Sequence, residues 1–178
     1  MLKIRIPETE LFIEDKNEFV QVRGYELTLE HSLLSVSKWE SKWKKPFLTR
    51  DQKTQDETLD YIRCMTLTQN IPADAYLAIP DSELRKIADY INDPMTATTF
   101  SGPEPQSREI ITSEVLYYNM FAAGIPIECQ KWHLNRLLTL MRVFGIKSQK
   151  AKKMPASKIR SQNAALNAAR RAKLGSTG

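Results

Sequence analysis

Two histidines, His31 and His133, and two cysteines, Cys64 and Cys129, are the side chains here most able to serve a nucleophile or a metal ion. Cys129 and His133 stand four apart, so on one helix they would share a face and supply half of a zinc site. The sequence offers no second pair at ligand spacing, which leaves packing in a core or an interface as the stronger reading of His133. Both cysteines sit in apolar helical patterns and read as small, reduced core residues. His31 opens a helix in Glu30-His31-Ser32, where a solvated or capping role is expected. Nucleophilic catalysis needs a base beside its nucleophile, and nothing in the spacing marks such a pair. GxGxxG, P-loop and HExxH signatures are missing from the sequence. The carboxylates are numerous, but no spacing singles out an acid and a base, and they read as a solvated acidic surface. No catalytic residue, metal or cofactor is expected, and the chain does not read as an enzyme.

Two constellations could touch nucleic acid. Trp39 and Trp43, set among Lys38, Lys42, Lys44 and Lys45, could stack bases. Aromatics four apart on a helix more commonly anchor a core, here with a charged rim. Gln130, Lys131, His133, Asn135 and Arg136 could face bases from a helix-turn-helix. That second helix opens on Pro126-Ile127-Glu128 rather than on base-reading polar groups, and the body around it is acidic. Nucleic acid is therefore not the expected partner.

The elements that must position these residues centre on Glu109 to Phe144, read as two helices joined at Ala123-Gly124-Ile125-Pro126. Gly supplies the left-handed conformation that ends a helix, and Pro suits the first turn of the next. The first helix is expected to bury Ile111, Val115, Tyr118 and Ala122. The second is expected to bury Leu134, Leu137, Leu138, Met141 and Phe144.

Alternating apolar residues in Leu2–Ile6, Phe19–Arg23 and Tyr25–Leu29 predict strands. Glu14 to Glu18 forms a polar turn between Leu11-Phe12-Ile13 and Phe19. His31 to Trp43 predicts a helix ending before Lys45-Pro46. Thr54-Gln55-Asp56-Glu57 is a capping box for a helix that buries Leu59, Tyr61, Ile62 and Met65. Pro72 and Pro80 bound a loop. Asp81 starts a helix carrying Leu84, Ile87, Ala88 and Ile91 inward, and Asp93-Pro94 stops it. Met95 to Ser107 reads as a surface loop or hinge. The fold class is thus mainly α. A small antiparallel sheet of two to four short strands lies within residues 2–29, followed by about five helices over residues 31–144 and a basic C-terminal helical arm. Residues 1–145 form one body; residues 146–178 form a linker and a helix that is ordered or forms on binding.

Charge separates these two parts. The chain carries a net +5, yet from Arg142 to Gly178 it has ten Lys and Arg and no acidic residue. The first 141 residues carry 16 basic and 21 acidic side chains, a net of −5. An arm of this kind seeks an acidic surface or a nucleic acid. Its large apolar residues, Ile159, Leu166 and Leu174, make only a thin seam. No window holds enough consecutive apolar residues to span a membrane, and the N-terminus lacks the pattern of a signal peptide, so a cytosolic location is expected.

Read as whole strings, LTLEHSLLSVSKWESKWKKPFL (Leu27–Leu48), ETLDYIRCMTLTQN (Glu57–Asn70), INDPMTATTF (Ile91–Phe100), REIITSEVLYYNM (Arg108–Met120), ECQKWHLNRLLTLMRV (Glu128–Val143) and SQNAALNAARRAKL (Ser161–Leu174) are similar to a family of tailed-bacteriophage proteins, the siphophage-type tail assembly chaperones. The resemblance spans nearly the whole chain. It implies a non-enzymatic viral protein of the host cell cytoplasm that binds the tape measure protein and keeps it soluble while tail tube subunits polymerise. It carries no catalytic residues over. A helical client of that kind needs an adaptable apolar groove, which Tyr117, Tyr118, Met120, Phe121 and Met141 could line. Lys152, Lys153, Arg160, Arg170 and Arg171 on the arm are the companion candidates for a transient contact. Met and Tyr at helical spacing read equally well as core. The alternative to a chaperone is a structural virion protein, a head–tail connector or tail component, and self-association is left open.

Overall fold

A computed structural model describes residues 1–13, 17–100, 110–148 and 156–175. The chain divides into two compact units, Met1–Phe144 and Gly145–Gly178.

The first unit begins with four antiparallel strands: β1 (Leu2–Ile6), β2 (Thr9–Ile13), β3 (Glu18–Val22) and β4 (Tyr25–Leu29). They form two separate ladders, β1 with β4 and β2 with β3, rather than one small sheet. The register runs from Leu2↔Leu29 to Ile6↔Tyr25 and resumes at Thr9↔Val22, so one long ribbon is interrupted opposite Pro7, whose ring nitrogen has no proton to donate. Ile4, Ile6, Leu27 and Leu29 turn into the core, and the alternation of polar residues between them faces water. Part of the polar turn expected at Glu14 to Glu18, residues 14–16, lies outside the described residues.

Helices follow, making the protein mainly α: α1 (Leu33–Trp43), α2 (Gln55–Met65), α3 (Asp81–Asn92), α4 (Ser113–Ala122) and α5 (Leu134–Ser148), with short 3-10 helices at Ala73–Ala78 and Ile127–Lys131. The Thr54/Glu57 capping box is formed as the sequence predicts, and α2 buries Leu59, Tyr61, Ile62 and Met65. Lys44, in the left-handed region at φ 55°, ends α1 ahead of Pro46. The stretch between Pro72 and Pro80, expected as a loop, is helical enough to bury Ala75, Tyr76 and Ala78. On α3 Ile87 and Tyr90 are buried, Leu84 and Ile91 are half-buried against the core as the sequence predicts, and Ala88 faces solvent.

The body packs around α1, which touches α2, α4 and the 3-10 helix Ile127–Lys131. Trp39, Leu33 and Val36 are its buried anchors. The indole N–H of Trp39 donates to the Glu57 carbonyl at 2.8 Å, and that of Trp43 to the Asp60 carboxylate at 2.9 Å. Lys42 pairs with Asp60, and Lys45 with Glu57 at 2.5 Å, so the lysines around this stacked pair neutralise buried carboxylates. The Lys45 hydrogen bond, more than any other contact, holds the Glu57 carboxyl below its usual pKa.

In the second unit α6 (Ala156–Leu174) is a 19-residue helix. Its described side chains, Leu166 and Leu174 among them, are exposed. The expected linker lies partly, and the side chain of Ile159 wholly, outside the described residues, as does the expected loop from residue 101 to Ser107.

Candidate partner interface

α4 is apolar nearly all the way round, broken only by Ser113, Glu114 and Asn119. Such a helix is ordinarily covered on every side. Here one side is covered: Ser113, Leu116 and Met120 turn inward, the last two at 3% and 0% exposure, and the helix packs on α1. The inward stripe expected from sequence was Ile111, Val115, Tyr118 and Ala122, and the structure overturns it. Tyr118 is 71% exposed, Ile111 and Ala122 also face solvent, and Val115 is half-buried. With apolar side chains on both faces, periodicity could not choose between them.

The uncovered side carries Tyr118 and Phe121, the latter 60% exposed. The half-buried Tyr117 stacks on Phe121 with ring centroids 6.3 Å apart, and its hydroxyl donates to Gln130 Oε1 at 2.8 Å. That hydrogen bond anchors Tyr117, and the stacked Tyr117–Phe121 pair forms an aromatic step on the helix that also carries Tyr118. Burial pushes the Tyr117 phenol pKa upward, so it stays a neutral donor.

The corner below is a Schellman turn. Gly124 at φ +66° donates to the Phe121 carbonyl at 3.0 Å, and Ile125 donates to Met120 at 2.9 Å. Pro126 then opens the 3-10 helix, and α5 begins only at Leu134, so the two helices are not joined directly. Cys129 lies in that 3-10 helix and His133 in an isolated bridge with Ser32. They share no α-helical face, and the half zinc site does not form. Among the described residues no three His, Cys, Asp or Glu come together as metal ligands.

Of the groove residues proposed from sequence, Tyr118 and Phe121 are at the surface and Tyr117 is partly so. Met120 is completely buried and cannot line a groove. Met141 is half-buried on α5, packed against the core, while Phe144 is 43% exposed. Arg160, Arg170 and Arg171 are exposed on α6, and Lys152 and Lys153 lie outside the described residues. The helix-turn-helix reading fails on geometry. Asn135 donates its amide to the Ile91 and Asp93 carbonyls at 2.9 and 2.8 Å, capping α3, and His133 is 6% exposed.

Both histidines are buried. His31 is 2% exposed, not solvated: its Nδ1 pairs with the Tyr61 hydroxyl at 2.5 Å and its ring meets His133 edge-on at 5.1 Å. Burial, and then the neighbouring His133, lower the His31 pKa to about 3. His133 Nε2 donates to the Tyr90 carbonyl at 2.9 Å, and the Leu134 amide donates to the His31 carbonyl at 2.8 Å. Local sequence could not reveal this cluster, because its members arrive from the β4–α1 junction, α2, α3 and the residue before α5. Among the described residues no helix is long and apolar enough to cross a membrane. No protein-family model matches the chain, and neither a characterised protein nor a solved structure matches it.

Proposed function

We propose that this protein is a non-enzymatic morphogenesis factor of a tailed bacteriophage, a tail assembly chaperone that binds the tape measure protein in the host cytoplasm. The observation that carries this reading is the uncovered side of α4. Tyr118 and Phe121 stand open on a helix whose other side is fully packed. Large exposed aromatics supported from behind mark places where a partner docks. An amphipathic helix is the partner shape that a flat aromatic step accepts, through anchors one turn apart. The strings similar to tail assembly chaperones, which include the whole first half of α4, support the same client.

The test is co-purification of the full chain with the tape measure protein of the same genome. The parent should capture it, and Tyr118→Ser with Phe121→Ser should abolish capture while leaving the melting temperature unchanged. A parent that captures nothing overturns the chaperone reading. Capture that survives the double substitution moves the client site off α4. Finding the protein at stoichiometric level in purified particles would instead make it a structural component of the virion.

A further inference from the structure

From Gly145 onward the sequence holds nine Lys and Arg and no Asp or Glu. Within α6, Arg160, Asn163, Asn167, Arg170 and Arg171 lie at offsets of three, seven, ten and eleven residues from the first. At 3.6 residues per turn these offsets confine all five to an arc of about 100°. All five are exposed. We propose that α6 is a duplex-DNA-binding helix that sits in the major groove with this Arg/Asn stripe facing the DNA. The proposal rests on the second unit alone and is independent of the client reading.

Three features favour DNA over an acidic protein. The first is the chemistry of the stripe. Arg forks onto phosphate or guanine, and Asn offers the paired donor and acceptor that match adenine, whereas a carboxylate surface would need only the cations. The second is what the stripe lacks. Protein interfaces are centred on large apolar anchors, and here the stripe has none at its centre: Leu166 stands about 40° outside its edge, and Leu174 falls within the arc only at the last residue of α6. The third is girth. Ala164 borders the stripe, and Ala165, Ala168, Ala169 and Ala172 lie behind it, so α6 is slimmer than an ordinary helix and fits a groove about 12 Å wide. The deep, narrow major groove of A-form RNA would exclude it. Affinity would come from phosphate neutralisation and counterion release, not from the body, whose first 141 residues carry a net −5.

The full-length protein should be titrated into a fluorescent DNA duplex of about two helical turns over a series of salt concentrations. Arg160→Gln, Arg170→Gln and Arg171→Gln together keep helix propensity. They should weaken binding about 100-fold at moderate salt and reduce the salt slope by about three. Asn163→Ala with Asn167→Ala should leave the slope unchanged and flatten any preference among duplex sequences. Unlabelled DNA should displace the probe far better than double-stranded RNA of the same sequence or polyglutamate at equal charge. Unchanged DNA binding in the triple variant overturns the proposal. Competition by polyglutamate as strong as that of DNA would assign α6 to an acidic protein surface instead, and equal competition by RNA would rule out seating in the groove.

Discussion

Glu40, in the middle of α1, accepts the backbone N–H of Ser113 at 2.7 Å, tying together residues 73 apart in sequence. Its other carboxylate oxygen accepts the Phe47 N–H, also at 2.7 Å. Ser113 opens α4, so its amide is one of the donors that a helix leaves without an internal partner, and a carboxylate there also suits the positive end of the helix dipole. The contact ties the start of α4 to α1, the helix against which its inward side packs.

Removing that carboxylate should therefore be costly. Glu40→Ala leaves two buried N–H groups without acceptors, each worth about 1–3 kcal/mol. Urea unfolding should show a loss of about 3 kcal/mol, and Glu40→Gln, which keeps one acceptor oxygen, should lose about half as much. An unchanged midpoint in Glu40→Ala would mean that the clamp contributes nothing to stability.

Leu137 and Leu138 adjoin on α5 but differ in burial. Leu137 is 0% exposed and Leu138 is only half-buried. Leu137→Ala should cost about 2–5 kcal/mol and Leu138→Ala clearly less, measured by the same unfolding curves. Equal losses would place both side chains in the core.

These two residues show what the sequence could and could not convey. Sequence pattern placed the start of the α5 stripe, Leu134 and Leu137, correctly because a single apolar face was on offer. The Thr54/Glu57 box and the Gly124 corner were legible because both are local chemistry, complete within a few residues. The α4 face was misassigned because nothing local distinguishes its two apolar sides; the helix that covers one of them, α1, is remote in sequence. His31 looked solvated for the same reason. The groups that enclose it, Tyr61 and His133, are remote in sequence. The candidate interface was thus half visible: Tyr118 and Phe121 were named, and Met120 was named with them although it belongs to the interior.

The second unit offers a simple check on independence. Residues 1–144 enclose their own core, from Ile4 to Leu137. Deleting Gln149–Gly178, beyond the last residue of α5, should leave the melting temperature of the body within a few degrees. Loss of a cooperative transition in the shortened protein would show that the arm is needed for folding.

The buried histidine gives the body a built-in acid sensitivity. In the folded protein the His31 pKa is lowered to about 3 by burial and by His133, whereas in the unfolded chain it should be near 6.5. Above pH of about 6.5 the ring is neutral in both states and proton binding adds nothing. As pH falls below that value the unfolded chain takes up a proton that the folded one refuses. Stability then declines, by up to about 1.4 kcal/mol per pH unit, until the folded group itself titrates. Buried carboxylates such as Glu57, held low by Lys45, lose their share only in more acidic solution. The interval from pH 7 to pH 5 therefore isolates the histidine effect. Over it the parent should lose about 2 kcal/mol more than His31→Gln, which cannot titrate, whatever the two stabilities are at pH 7. Parallel stability curves for parent and variant across that interval would show that His31 carries its proton in the folded state as readily as in the unfolded one, and the enclosed arrangement with Tyr61 would be wrong.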